Sequence, residues 1–261
     1  MKTAVIITGQ ARTFARCLPS LHWHVFGRLE NPYFYVSVAN DEDANSMELL
    51  KQRYPDVPFF MEKIDQPLLP EPDMSFAAFA PYAITPTRTP GTGPLQGILR
   101  QQWHLSRGYK FAMENGAGDG DETTFIRCRA DLHFHKYTSN LTRVSNRDGS
   151  CMLVRNDPYP REAFTPYWGN YGPGVNDRFA VLGKDAAKAY FETYDVLPEL
   201  LKDGCPFHPE TLVGAAMDRA GITIKRTLGA EFAFLRKDGS LEHMVVFPQE
   251  LAAYTAHLSK S

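Results

Sequence analysis

Residues 123–134 read Thr-Thr-Phe-Ile-Arg-Cys-Arg-Ala-Asp-Leu-His-Phe, and their types alternate. Ile126, Cys128, Ala130, Leu132 and Phe134 are apolar; between them stand Arg127, Arg129, Asp131 and His133. Side chains alternate across a strand, so one strand over 123–134 would line up two guanidiniums, a carboxylate and an imidazole along one side. Such a row can hold a diphosphate and a hard divalent cation. Mg²⁺ takes carboxylate and phosphate oxygens, and Mn²⁺ also tolerates imidazole. In open α/β sheets ligands gather at the carboxyl ends of strands, where Asp131 and His133 would lie. The bland alternative is a half-exposed strand whose polar side meets only water.

Three other places carry candidate groups. Thr8-Gly9-Gln10-Ala11-Arg12 closes an apolar run; its glycine permits a tight turn and close backbone approach, and Gln10 and Arg12 supply donors for a base or a phosphate. It is neither GxGxxG nor a GxxxxGK[ST] loop. Asp177 lies at the mouth of a predicted strand, within Gly174-Val175-Asn176-Asp177-Arg178-Phe179. Glu210 follows His208-Pro209 at a predicted helix start, where a carboxylate is also favoured electrostatically without any function. Both are acid/base candidates. Tyr159, Tyr167, Trp168 and Tyr171 form either a sugar-stacking wall or a loop that packs on itself.

The elements that must position these groups are legible from periodicity. Residues 4–8, 33–39 and 57–62 read as strands, and residues 13–29 (with Pro19 as a kink) and 44–53 as helices between them. Strand-helix-strand-helix-strand is the pattern of a parallel sheet covered by helices. Residues 67–94 hold seven prolines and two glycines, a surface loop inserted over the sheet edge. A long helix over 95–115 follows, then the strand at 123–134. Beyond it come a loop or hairpin at 140–150, a strand at 151–155, a loop over 157–175 and a strand at 177–182. Helices at 185–194 and 209–220 and short strands at 222–227 and 232–235 complete the pattern, with Pro209 suited to a first helical turn.

Composition narrows the function class. With 43% hydrophobic and 22% charged residues the chain is an ordinary globular protein. A net charge of -2 and a pI near 6.4, with no basic stretch, argue against tight sequence-independent nucleic-acid binding. Cys17, Cys128, Cys151 and Cys205 show no zinc spacing and no disulfide scaffold, which suits a reducing, cytoplasmic setting. No apolar run approaches the ~20 residues of a membrane span.

On the opening AVIITGQARTF, the strand FIRCRADLHF, the segment GVNDRFAVLGKDAAKAYFETY and HPETLVGAAMDRAGITIK, the chain resembles bacterial and viral GT-A-type glycosyltransferases, some of them phage-encoded. The pieces span most of the chain in the expected order. The resemblance implies a Rossmann-type, mainly parallel sheet flanked by helices, in one domain over 1–261. A nucleotide-sugar half would cover about 1–135 and an acceptor half about 136–261. It further implies that Gly9, Gln10 and Arg12 hold the nucleotide of a UDP-sugar, and that Arg127 and Arg129 face its diphosphate. Asp131 and His133 would stand where an Asp-x-Asp element binds Mn²⁺ or Mg²⁺; here the second carboxylate is replaced. Asp177 and Glu210 would face a glycan or small acceptor. Two rivals keep a nucleotide on the sheet: a phage-type enzyme glycosylating hydroxymethylated bases in DNA, and a nucleotidyltransferase.

Overall fold

The computed structural model describes residues 2–72, 94–119, 123–138, 141–145, 151–155, 158–170 and 173–242. In chain order the elements are β1 (Lys2–Gly9), α1 (Phe14–His24), β2 (Pro32–Ala39), α2 (Glu48–Arg53), β3 (Phe59–Ile64), α3 (Pro94–Glu114), β4 (Thr123–Arg129) and β5 (Leu132–Thr138). They continue with β6 (Leu141–Ser145), β7 (Cys151–Arg155), β8 (Glu162–Pro166), β9 (Phe179–Leu182), α4 (Lys184–Phe191), α5 (Leu197–Lys202), α6 (Pro209–Arg219), β10 (Thr223–Leu235) and β11 (Leu241–Glu242).

One sheet draws strands from both halves of the chain, in the order β11-β10-β8-β9-β4-β1-β2-β3, with β5 paired to β10. β3, β2, β1 and β4 are mutually parallel, β9 runs antiparallel between β4 and β8, and β8 pairs parallel with β10. The fold is therefore mixed α/β with a mostly parallel sheet. β1 explains the layering. Val5 and Ile7 pack with Phe14, Leu18 and Leu21 of α1 on one face. Ala4 and Ile6 pack with Leu105 and Tyr109 of α3, Tyr190 of α4 and Met217 of α6 on the other. A strand covered on both faces must be apolar on both, hence the unbroken Ala4–Ile7 run.

Several boundaries differ from the sequence reading. Residues 123–134 are not one strand: the chain turns at Ala130 and Asp131, and β5 leaves the sheet centre to pair antiparallel with β10. The apolar series survives the turn because Ile126, Cys128, Ala130, Leu132 and Phe134 all join the α1-side core. The two late strands are a single β10, kept continuous by register shifts between Lys225 and Leu228 and between Glu231 and Phe232. β8 and the short α5 lie where a loop was expected or nothing was assigned. The first predicted helix ends at His24, tightening into a 3₁₀ turn over Phe26–Arg28, and Pro19 is accommodated inside it. The 151–155 strand is present, paired with β6 as a hairpin. Most of the proline-rich stretch, 73–93, lies outside the described residues.

α3 reaches its place through a glycine. A Cβ on Gly108 would lie 2.2 Å from Thr8 Cγ2, so only a residue without one lets the helix rest on the end of β1. That contact sets the height of α3's first half above the carboxyl ends of β1 and β4.

Candidate functional site

β1 and β4 are neighbours from which the chain departs in opposite directions, β2 and β3 to one side and β9 to the other. Such a switch point leaves a crevice beyond the strand ends. A cavity of about 290 Å³ lies there. Thr8, Gly9, Gln10 and Arg12 line it from the end of β1, Arg127, Arg129 and Asp131 from β4 and its turn, and Gln66 from the segment after β3. Gly97, Arg100, Gln101 and His104 of α3 form the roof; their spacing puts them on one helical face.

The turn after β1 is conformationally unusual. Gly9 has φ +108, while a Cβ there would meet nothing within 4 Å, so backbone angle and not space demands glycine. Arg12 has φ +36, uncommon for a residue with a side chain, and its Nε donates to Gln10 Oε1 at 2.5 Å. Strained backbone of this kind concentrates at ligand sites.

Arg127 is 2% exposed, on the α3 side of the sheet with Phe125. Its Nη1 donates to Thr8 Oγ1 at 2.8 Å and to Cys128 O at 3.1 Å, and Nε donates to Asp177 O at 3.4 Å. Burial pulls its pKa down. Arg129 grips Asp131 with both arms, Nε to Oδ1 and Nη2 to Oδ2, each at 2.9 Å, the strong bidentate form of the charge pair. Burial alone would raise the Asp131 carboxyl; Arg129, with Arg12 beyond, holds it below the usual carboxylate range. The guanidinium of Arg129 lies 4.7 Å from the Phe234 ring centroid.

His104 is 3% exposed, and neither ring nitrogen has a hydrogen-bond partner among the described residues. Burial, then the positive charges of Arg127 and Arg100, bring its pKa down to about 4, so it is neutral at pH 7. Arg100 Nε is likewise without a partner among the described residues.

Gly9, Gln10, Arg12, Arg127, Arg129 and Asp131 therefore come together as the sequence suggested, although the polar side of β4 is roofed by α3 and not solvated. Asp177 and Glu210 do not reach the cavity wall. Asp177 accepts a hydrogen bond from Gln101 and lies 3.5 Å from Arg178 Nη1; burial pushes its pKa up. Arg178 Nη2 also contacts Glu210 at 2.5 Å, and His208 Nδ1 lies 2.7 Å from the other Glu210 oxygen. Burial pushes Glu210 up, but His208 and Arg178 hold it below the usual range. Both carboxylates back the wall as counter-charges to its arginines.

His133 sits elsewhere. Its ring is 5.2 Å from that of His135, and His135 and His24 are the titratable groups near it. The cation expected from Asp131 and His133 thus meets one carboxylate, each of whose oxygens already accepts a hydrogen bond from Arg129. Among the described residues no group of three or more His, Cys, Asp or Glu could hold a metal ion. On its own this single carboxylate is not a Mn²⁺ or Mg²⁺ donor set, and a cation there would take most of its oxygens from phosphate. Trp168 is core: it is 6% exposed, donates from Nε1 to Ala230 O at 2.6 Å and packs on Phe232. Tyr167 packs against the same core and Tyr159 is exposed, so no sugar-stacking wall forms from these three; Tyr171 lies outside the described residues.

Sequence reasoning missed Gln101, His104 and Gly108. Their signal was a polar stripe at 97, 100, 101 and 104 inside an amphipathic helix, with a mid-helix glycine beyond it. Among solved structures, the chain is similar to the apo crystal structure of mouse xyloside xylosyltransferase 1. The TM-score is 0.42 and the identity 12%, over 87% of this chain and 84% of that one. No protein-family model and no curated protein matches the sequence. No described helix is long and apolar enough to cross a membrane.

Proposed function

We propose that this protein is a glycosyltransferase that moves a sugar from a nucleotide diphosphate donor, a UDP-sugar, to a hydroxyl of a glycan or small acceptor. The observation that carries this reading is the arginine-lined cavity at the switch point between β1 and β4. In the reaction the bond between the anomeric carbon and the diphosphate oxygen breaks. The acceptor oxygen bonds to that carbon, its proton passes to solvent or a base, and the nucleoside diphosphate leaves with an added negative charge. Guanidiniums already fixed around the leaving oxygens stabilise that charge without reorganising, an effect worth several kcal/mol. Arg127 and Arg129 are fixed in this way by Thr8, Asp177 and Asp131. Gly9 and Gln10 would take the nucleoside. Asp177 and Glu210 act through Gln101, Arg127 and Arg178 as positioning groups.

DNA as acceptor is less well supported. A phosphate-binding groove would draw on the basic residues on or before the long helix, Arg88, Arg100, Arg107 and Lys110; of these, Arg107 is paired with Glu62 and Glu114 and Lys110 with Asp195. Arg100 faces the cavity, and Arg88 lies outside the described residues. The experiment is to incubate the protein with a panel of nucleotide sugars and candidate acceptors and to measure nucleoside diphosphate release and product mass. Acceptor-dependent release from one donor supports the reading. Turnover of a nucleoside triphosphate with diphosphate release, and of no nucleotide sugar, would replace it with a nucleotidyltransferase. Transfer to hydroxymethylated DNA that collapses between roughly 50 and 200 mM salt would change the acceptor alone.

A further inference from the structure

We infer that the cavity binds the donor's diphosphate through guanidiniums alone, Arg12, Arg100 and Arg129 occupying the place and supplying the charge of a divalent cation. The inference rests on the nucleotide-diphosphate reading above and specifies how that ligand is held.

Charge is the first support. Among the described residues, the cavity and the layer behind it contain five arginines, Arg12, Arg100, Arg127, Arg129 and Arg178, against three carboxylates, Asp131, Asp177 and Glu210. Two guanidiniums are in surplus. The diphosphate of a nucleotide sugar carries one negative charge on each phosphorus, which matches that surplus without any added ion. A divalent cation would instead enter a wall already positive, and would share the Asp131 carboxylate with the bidentate Arg129.

Unmet hydrogen bonding is the second support. Arg100 and His104 belong to the cavity wall, and Arg100 Nε and both nitrogens of His104 are buried without partners among the described residues. Buried donors left unpaired are costly, so native structures retain few of them. A phosphate oxygen is the acceptor that Arg100 Nε and the single N–H of the neutral His104 ring lack, and guanidinium forks match phosphate geometry. The strained turn carrying Arg12 brings a further guanidinium to the same opening.

The test is isothermal titration of the full chain, stripped with chelator, with inorganic diphosphate and with UDP, each in excess EDTA and again in Mn²⁺. The expected result is binding of both in EDTA, with UDP affinity changed less than about threefold by Mn²⁺. Arg100→Gln is expected to weaken both at least about tenfold, the loss of one charge-assisted contact, with its melting temperature unchanged. UDP binding that requires Mn²⁺ would overturn the inference and leave the donor reading standing. Inorganic diphosphate binding in EDTA, with UDP no tighter and no sugar released from any donor, would uphold the guanidinium site and remove the donor reading. No binding in either condition removes both, and an unchanged affinity in Arg100→Gln overturns the inference by itself.

Discussion

Arg100 and Arg107 stand two turns apart on α3 and live in different surroundings. Arg107 donates from Nε to Glu62 Oε1 at 3.0 Å, contacts Glu62 Oε2 through Nη2 and reaches Glu114 through Nη1. Three residues on, Lys110 lies 2.8 Å from Asp195, which also accepts from Ser106. Arg100 shows no carboxylate partner among the described residues, and its near neighbours on the cavity wall are Gln101 and His104. Gly108 marks the junction, where the helix rests on Thr8. One helix thus has a half whose charged groups are paired by the protein and a half whose Arg100 and His104 stand on the cavity wall with polar atoms unpartnered among the described residues. The C-terminal half is scaffold. The N-terminal half bears a cost that a ligand would offset, and that asymmetry, more than the number of arginines, marks the site.

The largest test of the contrast concerns Arg129, which belongs to both categories. It faces the cavity and also pairs with buried Asp131. Arg129→Gln is expected to destabilise the fold by about 3 kcal/mol in urea denaturation, because Asp131 is left buried without its cation. Adding Asp131→Asn should restore most of that stability, and titration calorimetry should show diphosphate binding still lost. Recovery of both stability and binding in the double variant would make Arg129 scaffold, like Arg107.

His104 sharpens the contrast through pH. Its folded pKa of about 4 lies below the ordinary value near 6.5, so the unfolded chain takes up the proton first as pH falls. The neutral, buried imidazole therefore contributes fully above about pH 6.5, and its contribution fades as pH drops toward 4, by about 3 kcal/mol at most. His104→Gln should flatten that part of the acid-stability profile, measured by denaturation at intervals between pH 7 and 4. An unchanged slope would mean that His104 is already solvated or paired. The charged groups facing it are Arg127 from β4 and Arg100 from its own helix.

Much of this was open to reading in the chain itself, and the divide is physical. Strands buried on both faces announce themselves as apolar runs, so β1, β2 and the sheet class were legible. So were the residues whose chemistry is local, Gly9 through Arg12 and Arg127 through Asp131. What depended on long-range pairing was not. Nothing in residues 123–134 signals a turn at Asp131, because the apolar alternation continues across it and packs on the same core. Glu162–Pro166 hides as a strand because aromatics and glycines around it resemble a loop. His133 looked like a metal ligand by spacing, and the turn sends it to His135 and His24 instead. Trp168 looked like a sugar platform, and an aromatic that finds a backbone carbonyl for its N–H is content in a core.

Gly108→Ala attacks the junction between the halves. The added methyl would meet Thr8 Cγ2 at 2.2 Å, and Thr8 in turn accepts from Arg127. Overpacking of this kind costs about 1–3 kcal/mol, more than the helix-propensity gain of about 1 kcal/mol from replacing glycine. A net loss of stability by denaturation, together with weaker diphosphate binding, is expected, since the displaced helix carries Arg100 and His104. A more stable variant with normal binding would show that α3 has room to shift without moving the roof.

The smallest expected effect, at Lys110, is also the sharpest control on the comparison. Lys110 and Asp195 are 47% and 37% exposed at their side chains, and such pairs contribute about 0.2–1 kcal/mol. Lys110→Ala should lower stability by no more than that in dilute buffer. The difference should vanish near 1 M salt, where the screening length falls to about 3 Å. Diphosphate affinity and any acceptor-dependent sugar transfer should not change, because this ammonium is directed at Asp195 and lies beyond the glycine junction from the cavity. The same variant bears on the DNA reading: a phosphate-neutralising lysine, once removed, would lower DNA affinity across all sequences and reduce the salt slope by about one unit. Loss of diphosphate or DNA binding in Lys110→Ala, with stability intact, would place the second half of α3 in the ligand site and dissolve the distinction between its halves.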